Sequence, residues 1–134
     1  MRRLVLGLSV SLFAVSCTRP TLLVCESVTP AGVCERPTTT LEGGREYTLF
    51  AAGYGLPDGR VTIRIRGDRA NGRAAAASSV VERPPRSNTL TNPVRLLYEG
   101  DYAISIVDAA GREFRSIRVH VTRPVIRPVP PWVR

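Results

Sequence analysis

The side chains able to do chemistry in this chain are few. There is one histidine, His120, three cysteines, eleven carboxylates and nineteen basic residues, all of them arginine. Nucleophilic catalysis needs a base beside a serine or cysteine and a third group to orient that base. Nothing in the sequence places His120 next to such a set. It falls on the polar side of an alternating run, Ile117, Val119 and Val121 against Arg118 and His120. The carboxylates occur in no recognisable acid–base context, and Glu99 and Asp101 flank Gly100 in what reads as a turn. "LEGGRE" at 41–46 lacks the lysine and the following helix of a phosphate loop. Cys25 and Cys34 lie nine apart with one distant histidine, a poor set for zinc. The expectation is a protein without catalytic residues, metal or cofactor.

Arginine is the residue type that remains. It donates to carboxylate or phosphate through a planar fork. Val61, Ile63 and Ile65 alternate with Arg64 and Arg66 in one run, and Arg118 and His120 stand outward in another. If these two strands flank the strand of Ala103 and Ser105, small residues floor a shallow polar surface between two arginine rows. Arg64, Arg66, Arg118 and His120 are thus the candidate face for an anionic ligand. A second candidate is the tail, "RPVIRPVPPWVR", where prolines favour polyproline II and Trp132 follows Pro130 and Pro131. Such a segment docks in a partner's groove, folds back over Phe50, or stays unstructured.

The elements that would carry these residues read as strands. Tyr47, Leu49 and Ala51 alternate with Thr48 and Phe50, and Tyr102, Ile104 and Ile106 with Ala103 and Ser105. Period-two patterning means sheets packed on one side and wet on the other. "GLPDG" at 55–59, "ANG" at 70–72, "ERPPRSN" at 82–88 and "DAAGR" at 108–112 supply the turns. "LLYEGDYAISIVD" resembles the tyrosine corner of immunoglobulin-like domains, whose hydroxyl bonds back to the backbone. "GREYTLFAAGYGLPDGRVTIRI" resembles strands B and C of bacterial immunoglobulin-like modules. That resemblance implies an all-β, immunoglobulin-like antiparallel β-sandwich over residues 38–122, with a barrel as the alternative. It departs from the family where Ala51 and Ile104 stand in place of the inter-sheet cysteines, and it lacks the core tryptophan.

The N-terminus reads as an address. Two arginines precede an uncharged run from Leu4 to Ser16. That run is too short to span a bilayer, which takes about 20 residues, and fits a cleaved signal peptide over 1–16. Ala14-Val15-Ser16-Cys17 resembles the lipobox of bacterial lipoproteins, with Ala14 where leucine is usual. The resemblance implies that Cys17 becomes the first mature residue and carries acyl chains such as palmitate. The alternative is an ordinary signal peptide and a secreted protein. With Cys17 lipidated, Cys25 and Cys34 remain as a pair that an oxidising compartment closes, around the turn Thr29-Pro30-Ala31-Gly32. Residues 17–37 then form a lipidated tether and disulfide hairpin, followed by the sandwich and a tail over 123–134.

Loss of the signal lowers the net charge from +8 to +6. The positive balance suits anionic neighbours, while export argues against nucleic acid. The sequence therefore leads to a membrane-anchored cell-envelope lipoprotein on the extracytoplasmic side, with the outer membrane open as a destination. Its expected role is non-catalytic binding or scaffolding, with an anionic envelope polymer or another envelope protein as partner. The alternatives are a secreted or periplasmic inhibitor or chaperone-like module and, behind it, a wall-directed hydrolase.

Overall fold

A computed structural model describes residues 20–84, 87–125 and 132. The expected lipidation site, Cys17, and the tail residues Pro130 and Pro131 lie outside the described residues. The described chain is all-β, with nine strands in two sheets. β1 (Thr21–Val28), β2 (Cys34–Pro37), β4 (Glu46–Ala52) and β7 (Thr89–Arg95) form the first, ordered β2-β1-β4-β7. β3 (Thr40–Glu42), β5 (Arg60–Arg69), β6 (Ala74–Glu82), β8 (Gly100–Val107) and β9 (Glu113–Thr122) form the second, ordered β3-β9-β8-β5-β6. No helix among the described residues is long and apolar enough to cross a membrane.

The alternating runs put their apolar halves between the sheets. Tyr47, Leu49 and Ala51 of β4 face Val61 and Ile63 of β5, Tyr102, Ile104 and Ile106 of β8, and Val119 and Val121 of β9 in one buried cluster. Ala51 and Ile104 are both fully buried, so the positions expected to lack cysteines are filled by apolar side chains. Burying a residue the size of leucine or isoleucine contributes about 1.5–3 kcal/mol, and this cluster holds the sandwich shut.

Three expectations need correction. The segment 17–37, expected as a lipidated tether and disulfide hairpin ahead of the sandwich, does contain the hairpin, but from Thr21 on it is part of the sandwich itself. Leu22 and Val24 lie in the core, and β1 pairs with β4 from Thr21↔Ala52 to Cys25↔Thr48. "TLLVCESV" is an apolar run rather than a clean alternation, because its outward Leu23 lies across from Phe50 and its Cys25 is held by the disulfide. The sandwich is not wholly antiparallel either, since β3 runs parallel to β9. Only Thr38 and Thr39 separate β2 from β3, so the chain crosses between sheets with no room to reverse. Finally, Trp132 does not cover Phe50, being 82% exposed.

The tyrosine corner is present as a geometry. The Tyr102 hydroxyl donates to the Tyr98 carbonyl at 2.8 Å. Arg69 stacks its guanidinium on the Tyr98 ring, 4.2 Å from the centroid. Tyr102→Phe should therefore cost about 1 kcal/mol, the usual net worth of a hydrogen bond. A urea-unfolding midpoint shift read beside an unchanged m-value would measure it.

Candidate functional site

The sheet order decides which outward side chains meet. β8 lies between β5 and β9, so its small residues Ala103 and Ser105 do floor the surface between the arginine-bearing strands. The register then sorts the outer face into rows. One row runs Arg66, Ala103, Arg118. The next, one pleat along, runs Asp68, Asp101, His120, Thr40. A third runs Arg64, Ser105, Ser116.

The first two rows line an open groove of about 600 Å³ near the beginning of β8. Arg66, Arg118 and His120 come together there, with Thr39 and Thr40 closing the side formed by the segment entering β3. Arg64 does not join them. It stands one row further along β5, over a separate depression beside Ala76 and Ser78. The candidate tail residue Trp132 is solvent-exposed and lines none of these hollows.

Two residues of the groove escape sequence reading. The His120 Nδ1 lies 2.7 Å from Asp101 Oδ1. An ionised carboxylate only accepts, so Nδ1–H donates and Nε2 is left as the free ring nitrogen. Asp101 reads as a turn former in the sequence, yet it is the first outward residue of β8, in phase with Ala103 and Ser105. Asp68 is likewise in phase with Arg66 and lies directly across from Asp101. Carrying the alternation two residues further in each strand would have found both.

The electrostatics follow from these rows. Asp101 is spoken for by His120, which is half exposed. Such a pair is worth about 0–1 kcal/mol in stability, so its consequence is orientation of the ring. Asp68 and Asp101 face one another as like charges, a destabilising cross-strand arrangement. The Arg66 and Arg118 guanidinium groups form no ion pair among the described residues. Two unpaired forks beside an oriented imidazole can take an oxyanion and place one ring nitrogen against it. No group of three or more His, Cys, Asp or Glu side chains suited to a metal ion occurs among the described residues.

Elsewhere, Cys25 and Cys34 form a disulfide with Cα atoms 5.6 Å apart, closing the β1–β2 hairpin. Arg83 donates to the Leu56 carbonyl at 2.9 Å and pairs with Asp58. It thereby ties the 55–59 turn to the end of β6, well away from the groove.

No protein-family model matches the chain, and no curated protein matches it. Solved structures do resemble it. The superoxide reductase (neelaredoxin) from Ignicoccus hospitalis aligns at 6% identity and a TM-score of 0.43, covering 78% of this chain and 79% of that one. Two single-residue variants of the same protein align at 8% and 9% identity, each with a TM-score of 0.44, covering 80% and 79% of this chain and 81% and 80% of theirs. These neighbours are enzymes, which contradicts the expected non-catalytic binding or scaffolding role and its inhibitor or chaperone-like alternative. That expectation is withdrawn. At these scores the likeness carries no reductase chemistry to this chain.

Proposed function

We propose that the groove on the outer face of the five-stranded sheet is a site for a small oxyanion or an anionic group of a larger molecule. Arg66 and Arg118 take its charge, and His120, held by Asp101, presents Nε2 to accept or return a proton at the bound group. The observation that carries this reading is that two guanidinium groups with no ion pair among the described residues line one groove with an imidazole already fixed by a carboxylate. Asp68 stands one pleat from the arginine row, about 7 Å along the strand. It gives the site a second, acidic end for a hydroxyl or ammonium donor. Phosphate and carboxylate are the fitting anions, because both match the arginine fork.

Calorimetric titration with inorganic phosphate and with citrate tests this. Weak binding that fades with salt is the expected result. Arg118→Ala should reduce affinity about tenfold, equivalent to about 1.4 kcal/mol. His120→Gln should reduce it less, since the arginines remain. Equal binding by wild type and the Arg66→Ala/Arg118→Ala double variant would refute the site.

We propose further that the chain is exported and acylated at Cys17. The basic start, the uncharged run and the lipobox-like ending support this, and the Cys25–Cys34 disulfide suits an oxidising compartment. Because β1 begins at Thr21, only Thr18, Arg19 and Pro20 intervene, a reach of about 14 Å at most. Acyl chains there would hold the domain against a membrane, within reach of anionic envelope polymers. Intact mass of the mature protein from a membrane fraction checks it. A peptide starting at Cys17 with acyl mass is expected, and an unmodified, soluble N-terminus would refute it.

A further inference from the structure

The two sheets expose four edges, and three of them are blunted. β2 has four residues and is pinned by the disulfide, β3 has three residues, and β7 carries Pro93 and Arg95. β6 is different. It pairs with β5 without interruption from Arg60↔Glu82 to Asp68↔Ala74, and no described strand lies on its other side. It has no charge from Ala74 to Val81, no proline and no bulge, and Val80 is 66% exposed. An edge of unpaired N–H and C=O groups with none of the usual protection is a template for another strand.

The charges beside that edge select what pairs with it. Arg64 and Arg66 stand on β5 opposite Ser78 and Ala76, on the outer face. Those neighbours are too short to cover them, and together they line a depression running onto β6. Neither arginine forms an ion pair among the described residues. A strand added to β6 lies two strand spacings from β5, about 9.6 Å. An arginine and a glutamate side chain reaching toward one another close that gap. A second copy would instead offer its own β6, uncharged from Ala74 to Val81, and set its Arg64 and Arg66 three strand spacings away, about 14 Å, as further like charge.

We propose that β6 is a docking edge for an extended acidic segment of a partner protein. The segment adds as a sixth strand through main-chain hydrogen bonds, and its alternate Asp or Glu side chains meet Arg64 and Arg66. The main chain gives affinity, and the arginine row gives the choice of partner.

The test uses an alternating Thr–Glu nonapeptide as probe and a Pro–Glu peptide of equal charge, which cannot pair, as control. Amide hydrogen exchange across residues 74–82 should slow at least tenfold with the first peptide and stay unchanged with the second. Ser78→Glu, an exposed substitution, should weaken Thr–Glu binding about tenfold with the fold intact by circular dichroism. Arg118→Ala should leave it unchanged, so the edge and the groove can fail separately. Equal binding of both peptides would reduce the effect to charge and overturn the proposal. Protection appearing on β8 and β9 instead, or concentration-dependent protection of β6 with no peptide, would overturn it as well.

Discussion

Gly100→Ala is expected to destabilise the domain by about 2–6 kcal/mol. Gly100 opens β8 at a φ of +153°, outside the range L residues adopt readily. It sits between Arg69 of β5 and Val121 of β9. A Cβ there would overlap the Asp68 carbonyl oxygen and lie 2.8 Å from Arg69 Cα. Both are backbone atoms, so no rotamer change relieves the overlap and the strands must part. Backbone strain of about 1–3 kcal/mol and overpacking of about 1–3 kcal/mol together give the range. A domain of this size has about 5–15 kcal/mol in all, so a large share would be lost. The next residue is Asp101, and displacing it should also free the His120 ring. Gly72→Ala is the control. Gly72 also has positive φ, at +77°, but a Cβ there meets nothing within 4 Å. It should cost only about 1–2 kcal/mol. Equal losses in chemical denaturation would contradict the packing assigned to the start of β8.

Reduction of the Cys25–Cys34 disulfide is the second large effect. The bond closes a loop of nine residue steps, for which the chain-entropy model gives roughly 2.5–3 kcal/mol. A melting temperature lower by about 10 °C is expected at this chain length. Beyond the bond, β2 is held to β1 by three register pairs and by surface contacts such as Arg36 with Glu26. Hydrogen exchange should therefore accelerate in β2 first, while β5 and β8 keep their protection. Calorimetry with and without reductant reads the first effect, and exchange of residues 34–37 reads the second. An unchanged melting temperature would mean that β2 is held by its strand pairing alone.

The parts of this fold that are legible in the sequence are those where one physical cause acts alone. β4, β5, β8 and β9 alternate because one face is buried and the other wet, and their phase gives the face of each side chain correctly. "DAAGR" is legible because Asp108 accepts from the Ala110 and Arg112 amides and Gly111 takes a φ of +84°. β1 is obscured because its outward Leu23 and Cys25 are apolar too, one lying across from Phe50 and the other bonded to Cys34. β6 is obscured because its alanines fit either helix or strand, and pairing along β5 decides. β3 is three residues whose identity as a strand depends wholly on lying beside β9.

The same distinction governs the groove. Phase places Arg64, Arg66, Arg118 and His120 on one face, but only register assigns rows. Register depends on how β5 and β9 slide against β8, which turn geometry fixes. Hence Arg64 is in phase yet one row away, while Asp101 lies within hydrogen-bond distance of His120. The order of strands was recoverable through the immunoglobulin-like resemblance, which puts the Tyr102 strand between the other two. The carboxylates were missed because a turn already accounted for Asp101.

The most direct test of the groove is an amide and side-chain NMR titration of the folded domain with inorganic phosphate. Shifts confined to Thr40, Arg66, Asp101, Ala103, Arg118 and His120, and lost in Arg118→Ala, are the predicted result. Shifts scattered over the arginine-bearing surface, including Arg36, Arg45 and Arg95, or persisting unchanged in Arg118→Ala, would contradict it.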